Sequence, residues 1–306
     1  MNIQLLNKIA AVGIKELGDG YNVGETVANP DGIMVRSAKM HEMEFGKELL
    51  AIARAGAGVN NIPIDRCSAE GIVVFNTPGA NANGVKELAI CALLLAARDV
   101  VGGIKWANGL TEDVAAQVEK GKSKFGGTEL AGKTLGIFGY GTIGRAVAKI
   151  ALAFGMTVIA TSRSHTSGCE GEVTFVDADT LFASSDYVSL HCPLTPETEK
   201  AVNARTLALM KPSAVLINTA RGGVTDEQAV VDALNEERLR GAGIDVLCEE
   251  PMRDNHPYLT AKNCYVTPHV AWGSLEARTR LIGIVADNLI AWRDGHPQNC
   301  VGEFKG

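Results

Sequence analysis

The run Thr134-Leu135-Gly136-Ile137-Phe138-Gly139-Tyr140-Gly141-Thr142-Ile143-Gly144 is a short apolar stretch that breaks into glycine spaced G-x-G-x-x-G. Each glycine has its own mechanical use: Gly139 permits a tight strand-to-helix turn, Gly141 lets a pyrophosphate approach the backbone, and Gly144 lets the next helix lie against the sheet. Unpaired N–H groups at the positive end of that helix would then hold the phosphates. A glycine turn can exist for positive φ alone. Here an apolar strand leads in, an Ala-rich helix from Ala146 to Phe154 leads out, and a second strand from Thr157 to Ala160 follows, which favours a dinucleotide. A second constellation is Arg54 with Ala55-Gly56-Ala57-Gly58. A guanidinium beside backbone N–H groups suits a carboxylate, although Arg54 also reads as a surface cation after a strand.

The elements that must position these groups are short apolar runs with helical stretches between them. Gly32 to Ser37, Leu49 to Arg54 and Ile72 to Phe75 read as strands in the first part. Later runs at Tyr187 to Leu190, Ala214 to Asn218, Gly241 to Ile244 and Cys264 to Val266 follow, with a helix from Asp226 to Arg238. Each run ends on polar residues, among them Arg36, Arg54, His191, Arg221, Asp245 and His269. That predicts an α/β fold with parallel, doubly wound sheets whose ligands gather at the strands' carboxyl ends. The stretch from Gly84 to Val101 is apolar on most sides and must be buried between layers or against another subunit. The polar segment from Thr111 to Thr128, with Lys-Gly-Lys-Ser-Lys, reads as an exposed arm.

At the end of the second strand of the glycine unit, an acid usually holds the adenosine ribose. Ser162 and Arg163 stand there instead. No carboxylate repels a 2′-phosphate and a guanidinium is at hand, so NADP is expected to be accepted beside NAD.

Bulk properties exclude other classes. With 306 residues and a net charge of -6, the chain can build two domains and lacks the basic surface of a nucleic-acid binder. No apolar run is long enough to span a bilayer, and the N-terminus lacks a signal pattern, so no membrane partner and a cytoplasmic location are expected. The seven cysteines are scattered without C-x-x-C spacing, which suggests buried thiols in a reducing compartment and no metal site. His41, His165, His256 and His296 sit in polar contexts and read as surface residues.

Six motifs then coincide in order: Arg54 to Val59, Gly139 to Gly144, Leu190 to Thr195, Asn218 to Gly223, Asp245 to Pro251, and Thr267-Pro268-His269. With them the chain resembles the D-isomer-specific 2-hydroxyacid dehydrogenases over nearly all its length. The resemblance implies two Rossmann-like or flavodoxin-like lobes, with the cofactor lobe inserted in the substrate lobe: residues 1–80 and 273–306 for substrate, 81–272 for NAD(P). It implies a homodimer built around the helix starting near Gly84, and no appended ACT regulatory domain. It assigns catalysis to Arg221, Glu250 and His269. Arg221 would clamp the carboxylate, His269 would be the acid or base, and Glu250 would orient the imidazole. Cofactor contacts fall by resemblance to Gly139, Gly141, Thr142, Ile143, Gly144, Ser162, Arg163, His191, Cys192, Pro193, Thr198, Thr219, Ala220 and Asp245, and substrate contacts to Arg36, Arg54, Ala57, Gly58 and Arg221.

The first third is most similar to the D-3-phosphoglycerate dehydrogenases of serine biosynthesis, where Arg36 would meet the phosphate. His269-Val270-Ala271-Trp272 is instead similar to the hydroxypyruvate and glycerate enzymes, and Trp272 would fill space a phosphate needs, which makes hydroxypyruvate or glyoxylate reduction the alternative. A third reading is a cofactor-sensing binding protein resembling the corepressors that share this fold; the chain carries no low-complexity tail of the kind they have.

Overall fold

Runs of three to five apolar residues, flanked by turn formers, pair side by side into two sheets. The computed structural model describes residues 1–7, 9 and 14–303. Its strands, in chain order, are β1 (Asn2–Leu6), β2 (Asn22–Gly24), β3 (Gly32–Val35), β4 (Ala51–Arg54), β5 (Val73–Phe75), β6 (Thr134–Phe138), β7 (Thr157–Thr161), β8 (Gly168–Glu170), β9 (Val173–Phe175), β10 (Tyr187–Leu190), β11 (Val215–Asn218), β12 (Gly241–Ile244), β13 (Cys264–Val266) and β14 (Cys300–Val301). The chain divides into two compact units, Met1–Gly84 with Trp272–Gly306, and Val85–Ala271.

In the first unit the strand order is β14-β5-β4-β3-β1-β2, all parallel except the antiparallel β14. Burial on both faces of β3 explains why its run Gly-Ile-Met-Val shows no alternation. The returning Leu275–Arg293 helix packs Leu281, Val285 and Leu289 against Met34, Ala53 and Phe75. Its N-cap is Ser274, whose hydroxyl accepts from the Ala277 N–H.

The second unit orders its strands β13-β12-β11-β10-β6-β7-β9-β8, and only the β8–β9 pair is antiparallel. The order reverses between β10 and β6, and the carboxyl ends of those two strands form the switch point at which such sheets take ligands. Asp186 aligns the opposite ends: its carboxylate accepts from the Thr134 N–H at 2.8 Å and from Lys211 at 2.9 Å.

One reading of this stretch needs correction. The apolar stretch expected to run from Gly84 to Val101 is a helix over Ala82–Ala97, followed by a second helix over Val100–Asn108. Asp99 makes the break by capping the second helix through the Gly102 N–H. The polar segment after it is mostly exposed, as expected, and contains a helix, Val114–Gly121, and a 3-10 turn that brings Phe125 to 5.1 Å from the Trp106 ring. Gly121 lies so close to Trp106 that a side chain there would meet the indole.

Candidate active site

The glycine turn joins β6 to the Thr142–Ala153 helix. Gly139 takes φ +102°, and a Cβ on it would strike the His191–Cys192 backbone. A Cβ on Gly144 would strike the carbonyl of Gly139, so this glycine lets the helix start against the turn. By contrast nothing lies within 4 Å of the position a Gly141 Cβ would take. Gly141 is the N-cap, and no side chain of the described residues caps the helix, which leaves the N–H groups of its first turn without a side-chain acceptor. Such a helix start suits a phosphate.

His191 and Cys192 end β10 beside the turn. His191 Nε2 meets Ser189 Oγ at 2.9 Å, while Nδ1 is buried and makes no hydrogen bond to the described residues. Burial pushes its pKa down to about 4, so the ring is neutral at pH 7. Thr219 Oγ1, after β11, is likewise buried without a partner. Thr198 folds its hydroxyl onto the Pro193 carbonyl at 2.6 Å, shaping the Cys192-Pro193 loop. These orphaned donors and the open cradle fit a dinucleotide. Ser162 follows β7 in a small turn, its hydroxyl accepting from the His165 N–H at 3.2 Å, and Arg163 beside it is exposed.

The three residues expected to react follow three further strands. Arg221 lies two residues after Thr219 and donates to the Ala220 carbonyl at 2.6 Å. Burial pulls its pKa down and the charge of Glu250 pulls it back, so the guanidinium stays protonated and close to that carboxylate. Glu250 lies in the loop after β12. One oxygen accepts from the Leu247 N–H at 3.1 Å, and the other lies 2.7 Å from His269 Nδ1. Burial would raise the Glu250 carboxyl, but the His269 hydrogen bond, the Leu247 N–H and Arg221 outweigh it, and its pKa is lowered.

His269 follows β13 with φ +51°, a left-handed conformation that costs a non-glycine residue on the order of 1–3 kcal/mol. Asp245 holds it there. The Asp245 carbonyl accepts from the His269 N–H at 2.8 Å. Its carboxylate, 2 % exposed, accepts from Thr267 Oγ1, Val270 N–H and Ala271 N–H at 2.6, 2.9 and 3.0 Å. The resemblance offered Asp245 as a cofactor contact; its grip on the catalytic loop had no signal in the sequence, because it spans two strand ends.

Another residue read from sequence as surface is not on the surface. His256 is 2 % exposed and sits 3.4 Å from Glu227, a partner far upstream that its polar neighbours gave no hint of. The thiols also differ from expectation: Cys67 and Cys192 are buried, but Cys91, Cys169, Cys248 and Cys300 are exposed.

The predicted substrate residues Arg36, Arg54, Ala57 and Gly58 belong to the first unit, at or after the carboxyl ends of β3 and β4. There the Arg36 guanidinium lies over the Trp272 ring at 5.1 Å, and Arg278 lies over the same ring at 5.4 Å. The Arg54 guanidinium packs against Gly56, whose φ is +158° and which leaves no room for a Cβ.

Known proteins show the same plan. The family profile described as D-isomer specific 2-hydroxyacid dehydrogenase, NAD binding domain, matches residues 93–271. A glyoxylate reductase of Thermococcus litoralis is 40% identical over 264 residues, 85% of this chain and 79% of that protein. A D-3-phosphoglycerate dehydrogenase of Synechocystis sp. is 36% identical over 301 residues, 94% of this chain but 51% of that protein, so the chain spans about half its length. Among solved structures, an NADPH-dependent glyoxylate/hydroxypyruvate reductase from Sinorhizobium meliloti has a TM-score of 0.87 at 30% identity, covering 99% of this chain and 98% of that one. The profile match over residues 93–271, with these identities over most of the chain, makes it a member of the D-isomer-specific 2-hydroxyacid dehydrogenases, NAD(P)-dependent oxidoreductases acting on CH–OH groups.

Proposed function

We propose that Arg221, Glu250 and His269 are the catalytic residues and that 3-phosphoglycerate is the 2-hydroxy acid they act on. The Gly139–Gly144 turn would hold NAD(P), which would supply the acceptor or donor of the hydride at C2. Arg221 clamps the substrate carboxylate and polarises the C2 oxygen, a pre-aimed charge in a half-dry site. Because Glu250 accepts the hydrogen of His269 Nδ1, Nε2 is left to exchange a proton with the C2 oxygen. It gives that proton when the keto acid is reduced and takes it when the hydroxy acid is oxidised. The 2.7 Å contact between Glu250 and His269, with the Arg221 charge beside it, is the observation that carries this reading.

Arg36 supports the phosphorylated substrate. Stacked on an indole face, a guanidinium keeps its in-plane N–H groups for an anion. That substrate would place the chain in serine biosynthesis. Trp272 supports a second reading, hydroxypyruvate or glyoxylate, since the ring takes up room beside Arg36 and a close relative reduces glyoxylate by its name. Arg36→Ala separates the two. On 3-phosphoglycerate a loss of about 10–100-fold in kcat/KM is expected, the worth of a charge-assisted hydrogen bond. Hydroxypyruvate turnover should change little; equal losses on both substrates would reject Arg36 as a phosphate ligand.

Ser162 and Arg163, in place of a ribose-binding acid, favour acceptance of NADP, and a several-fold preference for NAD in kcat/KM would refute it. The exposed Leu94, Val100, Ile104 and Val114 support a homodimer formed through the helices after Ala82. Four exposed thiols suit a reducing, cytoplasmic setting.

A further inference from the structure

The loop that carries Glu250 is held from behind by a pair, the buried His256 and the part-buried Glu227, that takes no part in the chemistry above. Glu227 is the first residue of the Glu227–Asn235 helix, where the helix N-terminus favours a carboxylate. Its Oε1 accepts from the Cys248 N–H at 2.9 Å. The neighbouring amide, Leu247 N–H, is the one that donates to Glu250. Two carboxylates thus grip two successive N–H groups, one on the catalytic side and one on the far side. A third wall is Gly222, next to Arg221: a Cβ there would collide with the Leu247–Cys248 peptide. Leu247, with the Glu250 hydrogen bond on the peptide before it and the Glu227 and Gly222 contacts on the peptide after it, therefore registers Arg221 and Glu250 against one another.

His256 completes the grip. Its Nδ1 accepts from the Tyr258 N–H at 3.3 Å, which leaves the hydrogen on Nε2, facing Glu227 Oε2 at 3.4 Å. The ring is 2 % exposed and packs on Tyr258 with centroids 5.3 Å apart. Other charges around Glu227 are Asp226, itself paired to Lys200 at 3.3 Å, and the Cys248 thiol, whose pKa burial and then Glu227 push up to about 11.

We infer that Glu227, fixed by His256, is a positioning residue that acts on the reaction through the Leu247–Cys248 peptide and Glu250. It touches neither substrate nor cofactor. This rests on the assignment of Glu250 as the partner of His269.

The test is a double-mutant cycle on the full chain, with kcat read at 340 nm and cofactor binding read by fluorescence titration. Glu227→Ala should lower kcat about tenfold or more, as small misplacements of catalytic groups do, and leave the cofactor Kd unchanged. Glu227→Gln keeps an oxygen for the Cys248 N–H but offers an amide to the His256 N–H. It should cost less than Glu227→Ala and about as much as His256→Asn. In a Glu250→Gln background, Glu227→Ala should cost nothing further in kcat, because the group it positions is already lost. A Glu227→Ala enzyme within twofold of wild type, or the same factor lost in both backgrounds, would overturn the inference. Deuterium uptake over residues 245–251 is read without turnover and should rise in Glu227→Ala and less in Glu227→Gln; unchanged uptake in Glu227→Ala would also overturn it. If Glu250→Gln alone left kcat intact, the assignment of Glu250 would fall instead.

Discussion

Glu250 is a carboxylate placed where it must stay one. Burial works against its charge, yet the His269 and Leu247 hydrogen bonds and the nearby Arg221 keep its pKa below the ordinary value of 4.5. The sign follows: a group lowered on folding stays ionised above its ordinary pKa and is neutralised only as pH falls through the lowered one. Rates in the pH 5–8 range are therefore expected to carry no inflection from Glu250. Glu250→Gln should reduce kcat at every pH in that range, read from pH–rate profiles; a loss confined to the acid side would contradict a lowered pKa. Arg221, Glu250 and His269 were offered from the sequence because each lies in a motif that carries the resemblance, Arg221 and His269 shortly after a strand and Glu250 in the loop after β12. Asp245 and His256 could not. Their roles depend on partners brought in from other strands and helices, and nothing in Arg253-Asp254-Asn255-His256 distinguishes a buried histidine from a solvated one.

At the scale of elements, the strand ends carry the function and the strand starts carry the alignment. Asp186 ties β6 and β10 at their starts, and its backbone also accepts from Val215 at the start of β11. Burial would raise its carboxyl, but the Thr134 N–H, Lys211 and Lys133 together hold it below the ordinary value of 3.8. The stability it contributes is thus present above that value and lost as pH falls through the lowered one. Asp186→Asn is expected to cost about 1–3 kcal/mol at pH 7, as for a part-buried charged hydrogen bond. The gap from wild type should narrow as urea unfolding is repeated in acid. Gly144→Ala should abolish cofactor binding, since its Cβ would drive the helix off the Gly139 carbonyl; a normal Kd for NAD(P)H would contradict the cradle. The alternation of strand and helix was plain in the apolar runs. The break at Asp99 was not, because the residues on both sides continue an apolar pattern, and a single capping carboxylate decides where one helix stops.

For the whole molecule, the cofactor unit brings Arg221, Glu250 and His269 into one charge network within its own fold, and the first unit contributes the cations Arg36 and Arg54 to the substrate reading. The two-sheet α/β plan followed from the order of motifs alone. The strands β1 and β2 on one side of the first sheet and the β8–β9 hairpin did not, being short or polar and without a periodic signal. The exposed apolar side chains on Leu94 and Ile104 should be covered in solution by a second copy. Sedimentation is expected to show a dimer that Ile104→Glu shifts toward monomer; a monomeric wild type would remove that role. What stands or falls with the catalytic reading is measured most directly by His269→Ala, comparing keto-acid reduction at 340 nm with NAD(P)H binding in the same preparation. A loss of about 10²–10⁴-fold in kcat, the range for a removed general acid, with cofactor Kd unchanged is expected. A variant that turned over at the wild-type rate would show that the proton comes from elsewhere and that these strand ends do not form the reaction centre.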